Sequence, residues 1–337
     1  MRFLIGAACV AVLWMGAAQA ETPHYQQTGS IPLAGDGGWD YVSLDPAAAT
    51  LFIARTNGAT AMGLNPPHTV RNFGPVKHGH AVVPVDGGAE LAVTSGADDT
   101  LKLFDVKSGH LLASIPVGHG PDGAIADPKT GNVLVMNGHG GTVSVVNPKA
   151  RAVVRSITLQ PGLEFPAIDR RGMLFDNNED LNQIDVADPA TGKVSAPIAL
   201  PGCTGPSGLA YDEATDRLIA ACDNGKAAVV DAQARGLVKL LDIGRGPDAV
   251  ILDAKRRLAF IPCGHDGTLA VIALDGQNGP QVVQTVKTEP GARTGALDPT
   301  TGVIYLPTAR FAPQATPAKH PPIVPGSFHV LMVKPDA

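Results

Sequence analysis

The chain has 337 residues and a formal net charge of −5, with 39 glycines, 29 prolines and only 4% aromatic residues. Such a composition suits many short strands and tight turns rather than long helices. A mildly acidic chain without strong Lys or Arg clusters has no global pull on nucleic acid or anionic lipid, and it is short of aromatic platforms for stacking bases.

At the start, Arg2 is followed by an apolar run from Phe3 to Gly16, then by Ala18-Gln19-Ala20 ahead of Glu21. That is the pattern of a secretory signal peptide, so residues 1–20 are expected to be removed after Ala20 and residues 21–337 to be periplasmic or secreted. The run is too short to cross a bilayer comfortably, and no later stretch has the length for it. Three cysteines remain, Cys203, Cys222 and Cys263. In an oxidising compartment they imply one disulfide and one leftover thiol.

From there on, one unit recurs at a spacing of about 42 residues. Asp45-Pro46, Asp127-Pro128, Asp169, Asp212, Asp253 and Asp298-Pro299 mark it, with Val85 standing in the second unit. Five or six residues after each comes a short apolar run: Leu51 to Ala54, Leu91 to Thr94, Val133 to Met136, Met173 to Phe175, Leu218 to Ala221, Leu258 to Ile261 and Ile304 to Leu306. A third element alternates apolar residues, as from Leu101 to Asp105 and from Val143 to Asn147. A fourth, such as Ala113 to Val117, leads into a Gly-rich turn. Four short strands per unit cannot bury both faces alone, whereas radial stacking lets each unit cover its neighbour. The expectation is an all-β, seven-bladed β-propeller. Its last unit stops after a third strand, Phe328 to Val333, while Thr28 to Gly35 precedes the first unit as an orphan strand. Pairing the two closes the ring and removes two sheet edges.

Gly37-Gly-Trp-Asp-Tyr41, Asp98 to Asp105, Cys203 to Ala210, Gly291 to Pro299 and Pro321 to Phe328 stand in an order that resembles the exported YncE-like, YVTN-repeat β-propellers. The resemblance covers essentially all of residues 21–337. It implies the fold and an exported location, and it carries no general activity, because propellers host many functions.

Counting back five residues from each repeat aspartate gives the residue that leads into each inner strand: Asp40, His80, Asp122, Glu164, Ser207, Asp248 and Arg293. All seven are polar, and they converge on the channel mouth of the top face. Carboxylates and an imidazole suit a divalent metal ion or a small ligand. Crowded carboxylates also raise one another's pKa, which is the raw material of acid–base catalysis. The plain alternative is a polar mouth that satisfies loop backbones. His78, His119, His139 and His265 fall on the same face in Gly-rich loops and are further metal candidates beside His80, without a recognised ligand spacing. Cys203 and Cys222 end adjacent strands of the fifth unit and form one natural disulfide pair; Cys222 with Cys263, in like places of neighbouring units, is the other. The Pro-rich insertion 311–327 lies in the last unit on the top face as a stiff lid or strap.

Two function classes follow. One is a monomeric scaffold that binds a small molecule, an ion or a periplasmic protein at the channel mouth. The other is a lactonase-type hydrolase, since related seven-bladed propellers include lactonases, with Glu164 as base, His80 as base or ligand and Arg293 as oxyanion holder. No Gly-x-Ser-x-Gly nucleophile motif supports the second, and no Cys-x-x-Cys-His motif supports a haem.

Overall fold

In a computed structural model, which describes residues 23–35, 37–276, 278–313 and 322–336, the repeats become seven four-stranded antiparallel sheets. The expected signal segment 1–20 lies outside the described residues. Six sheets are continuous in sequence, with inner strands Trp39–Asp45, Gly79–Val85, Pro121–Ala126, Leu163–Ile168, Pro206–Asp212 and Ile251–Asp253. The seventh is composite. Ala296–Leu297, Ile304–Thr308 and His329–Pro335 come from the C-terminal end, and Tyr25–Pro32 supplies the outermost strand. The closing strand pairs from Tyr25 opposite Pro335 to Pro32 opposite His329, so it begins three residues before Thr28. Its main chain is also clasped by blade 6: the Gln284 side chain accepts from Tyr25 N at 2.9 Å and donates to Tyr25 O at 2.7 Å.

The core lies between blades rather than within them. Phe175 and Val186 of blade 4 pack with Leu209, Leu218 and Ala228 of blade 5, and Phe260 of blade 6 packs with Ile304 and Leu331 of blade 7. Trp39 and Ile53 of blade 1 meet Phe328 and Val330 across the closure. Each sheet thus buries both faces, which explains apolar runs in second strands where a half-exposed sheet would alternate.

The repeated aspartate turns out to be a turn cap. Asp45, Asp127, Asp169 and Asp298 accept from the backbone N–H two residues on, at 2.8–3.0 Å. Where Val85 replaces it, the chain makes a 3-10 turn at Asp86–Gly88, with Asp86, Gly87 and Gly88 all at positive φ.

Two inner-strand glycines are set by space. A Cβ on Gly123 would lie 2.1 Å from the Glu164 carbonyl oxygen, and one on Gly208 would lie 2.4 Å from the Ala249 Cα. Both clashes are with the next blade's backbone, which cannot step aside. Gly123→Ala is therefore expected to lower stability by about 3 kcal/mol, read by urea unfolding. An unchanged midpoint would show that the inner strands are not held this closely.

Candidate functional site

The seven polar residues sit where the inner strands leave regular pairing. Register breaks between Trp39 and Val42, Gly79 and Val82, Pro121 and Ala124, Leu163 and Pro166, and Pro206 and Leu209. Each break holds one predicted site residue and the residue after it. In blade 6 the bridge at Pro247 is followed by regular pairing only from Ile251, so Asp248 lies in the same kind of gap. Bulges of this sort re-aim side chains and free main-chain groups. Here the freed carbonyls are satisfied across blades: Thr294 Oγ1 donates to Asp40 O, Thr94 Oγ1 to Asp122 O, and Asn177 Nδ2 to both Ser207 O and Gly208 O, at 2.8–2.9 Å.

Asp40, His80, Asp122, Arg293 and Asp248 form one linked set, and Ser207 joins it through a side-chain hydrogen bond to Asp248. His80 Nδ1 lies 2.7 Å from Asp40 Oδ2 and 3.5 Å from Asp122 Oδ1. Asp40 Oδ1 faces Arg293 Nη2 at 3.6 Å, and Arg293 Nε donates to Asp248 Oδ2 at 2.7 Å. Glu164 accepts from the Tyr41 hydroxyl at 2.8 Å. Ser207 is buried, and besides Asp248 its hydroxyl bonds the Pro247 carbonyl of the neighbouring loop at 3.1 Å.

Charge within this ring is unevenly held. Burial pushes the His80 imidazolium down, but the Asp40 hydrogen bond and the charges of Asp122, Asp40 and Asp248 outweigh it and lift its pKa to about 9. Burial raises Asp122 to about 7 against the pull of His80. Burial, with Asp122 and Asp248 nearby, pushes Glu164 well above the carboxylate range, and burial also raises Asp248, with Arg293 opposing. At neutral pH Glu164 and His80 both hold protons. Both shifts run against a general-base role for these two groups at neutral pH.

Of the candidate histidines, His78 touches the ring. Burial and the charge of His80 lower its pKa, so it is the neutral partner, and His80 Nε2–H donates to His78 Nδ1 at 3.1 Å. His119 turns instead to Asp99 at 3.2 Å, with its ring 5.4 Å from that of His139. His265 packs beside Gly246. Among the described residues, the one group of three or more metal-ligating side chains is Asp40, His80 and Asp122, with one ligand atom from each within 4.8 Å of the others. The histidines do not form a site of their own.

One position past the ring, the residues are Tyr41, Ala81, Gly123, Phe165, Gly208, Ala249 and Thr294. Five are small, and the two aromatics come from blades 1 and 4. Their rings meet with centroids 4.5 Å apart, forming a plug across the channel directly beneath the polar ring. Sequence reasoning missed this plug. The small-residue pattern around two aromatics was its only signal.

Cys203 and Cys222 form a disulfide with Cα atoms 5.4 Å apart, and Cys263 is buried and free. Burial lifts the Cys263 thiol to about 11. In a protein of residues 21–337, a colourimetric thiol reagent should therefore detect no thiol in the native state and one after denaturation without reductant; a thiol that reacts natively would contradict this burial. The described arms of the Pro-rich insertion form a hairpin, with Ala312 N donating to Pro322 O and Val324 N to Arg310 O. Phe311 on it packs against Trp39 at 6.2 Å; residues 314–321 lie outside the described residues.

No protein-family model matches the chain, and no curated protein matches it by sequence. Solved structures do resemble it. Hydrazine synthase from Kuenenia stuttgartiensis superposes with a TM-score of 0.70 at 16% identity, covering 81% of this chain and 94% of that one. Virginiamycin B lyase from Staphylococcus aureus gives 0.71 at 12% identity, covering 92% and 99%. U3-55K gives 0.75 at 11% identity, covering 90% and 97%. Identities this low carry the fold alone: the chain is a seven-bladed β-propeller.

Proposed function

We propose that the protein is an exported, monomeric binding propeller of the YncE-like kind whose channel mouth takes a divalent cation. The observation that carries this reading is the convergence of Asp40, His80 and Asp122 ligand atoms within 4.8 Å. A mixed imidazole and carboxylate set suits zinc, manganese or nickel better than calcium, which prefers an all-oxygen cage. His78 would complete the arrangement from behind by accepting from the far side of the His80 ring, as ligating histidines commonly need. Export is supported by the N-terminal sequence pattern and by the disulfide. No helix among the described residues is long and apolar enough to cross a membrane.

The test is calorimetric titration of chelator-treated protein with Zn²⁺, Mn²⁺ and Mg²⁺. One cation per chain is expected, with loss of binding in Asp40→Asn and His80→Ala. Absence of binding by all three ions would sink the proposal.

A further inference from the structure

Below the Tyr41–Phe165 plug the channel continues as a separate cavity of 340 Å³. Its wall comes from one side of the ring: residues of the inner strands of blade 1 (Val42, Leu44), blade 6 (Ile251, Leu252) and blade 7 (Ala296, Leu297), with Phe165 reaching in from blade 4. The inner strands of blades 6 and 7 are the two shortest of the seven, Ile251–Asp253 and Ala296–Leu297, and the cavity lies where they run. Pro46 and Pro299 are exposed at the far end, so the mouth opens on the face opposite the polar ring.

The lining contains no ionisable group apart from Tyr41, whose hydroxyl is turned to Glu164 and leaves ring carbon to the cavity. The carboxylates around the mouth are spent on their own turns. Asp45 accepts from the backbone of Ala47 and Ala48, Asp298 from Thr300 N and Thr301 Oγ1, and Asp253 pairs with Arg256 at 2.9 Å. No charged side chain is among the lining residues, whose other polar side-chain group is the Ser43 hydroxyl. A neutral, apolar guest would gain the burial of both surfaces, whereas an ion would lose hydration without a partner.

Volume limits the guest. An apolar cavity of about 150 Å³ holds one benzene, and small-molecule sites begin at about 300 Å³. This one accommodates two fused rings or an aliphatic skeleton of similar bulk. We infer that the bottom-face cavity is a second binding site, for a neutral apolar molecule of about ten to eighteen heavy atoms, independent of the ring above. A preformed site between rigid strands requires little ordering of the protein on binding.

N-phenyl-1-naphthylamine, neutral and fluorescent out of water, is the probe. With the full chain it should brighten saturably at one probe per chain. Leu252→Trp and Leu297→Trp, which fill the cavity from two blades, should each weaken binding by tenfold or more with the melting midpoint preserved. Asp40→Asn and His80→Gln should leave it unchanged. Absence of saturable brightening, or brightening that survives both tryptophan variants in folded protein, would overturn the inference. So would loss of the probe site in the ring variants alone. Where one tryptophan variant fails to fold, the other carries the test.

Discussion

Divalent-cation affinity should rise about a thousandfold between pH 6 and pH 8 and level off above pH 9, because the cation must displace protons from its own ligands. His80, with its pKa lifted to about 9, carries a proton on the nitrogen that faces Asp40 and Asp122. Asp122, lifted to about 7, is half-protonated at neutrality. Both shifts are upward, so both protons oppose binding below the raised values and stop doing so above them. At pH 7 the loss of one proton from His80 and about half a proton from Asp122 should appear as between one and two protons released per cation. Calorimetry in two buffers of different ionisation enthalpy reads that number directly. Asp122→Asn should remove the part of the slope near pH 7 and shift the upper end of the slope below pH 9, because the Asp122 charge helps to raise His80. The two groups face each other, so the steps belong to the pair rather than to either residue alone. A flat affinity from pH 6 to pH 9, or a slope unchanged in Asp122→Asn, would show that the cation does not bind among these side chains.

Counting along the repeat located the polar ring because each blade places one residue five positions before its repeat position, an aspartate in six blades and Val85 in the second. The aspartates are legible since a similar turn favours a similar cap in most blades. The closure was legible for a related reason: a strand without a partner at one end and a blade short of a strand at the other leave two edges that only each other can cover. The bulges were not, because no residue type marks them; Asp40-Tyr41 and Ser207-Gly208 share nothing except their place. The plug depends on Tyr41 and Phe165 meeting across a channel that exists only once the ring has closed. The histidines looked like a repeated ligand pattern because Gly-rich loops recur, yet His119 and Asp99 form a surface pair, and only His80 lies among carboxylates. The cysteine alternatives resolve through strand order. Cys222 lies opposite Pro206, close to Cys203, whereas Cys263 is paired within blade 6 opposite Thr268.

Asp176→Val should make the protein more stable, by about 1–3 kcal/mol at pH 8, because a buried carboxyl without good partners costs its desolvation. Asp176 is fully buried in the second strand of blade 4, where no side chain hydrogen-bonds its oxygens among the described residues and only the Glu164 main chain opposes the cost of burial. The equivalent position in the other six blades carries Ile53, Val93, Val135, Ala220, Ile261 and Leu306, so the fold is built for an apolar side chain there. Burial pushes the Asp176 carboxyl well above its ordinary range, and the charges of Asp185 and Asp122 add to it, with the Glu164 main chain partly opposing. The folded protein therefore keeps a proton that the unfolded chain gives up near pH 4, and wild-type stability falls as pH rises from there. Valine has no proton to keep. The advantage of the variant should be small at pH 4 and largest at pH 8, with a gain in melting midpoint of roughly 2–6 °C at the upper end. Asp176 is outside the group of three ligating side chains, so cation affinity should change by less than about twofold. Thermal melts of both proteins across this pH range measure the difference. A variant that melts lower than the parent at pH 8 would show that Asp176 is held by interactions that outweigh its desolvation.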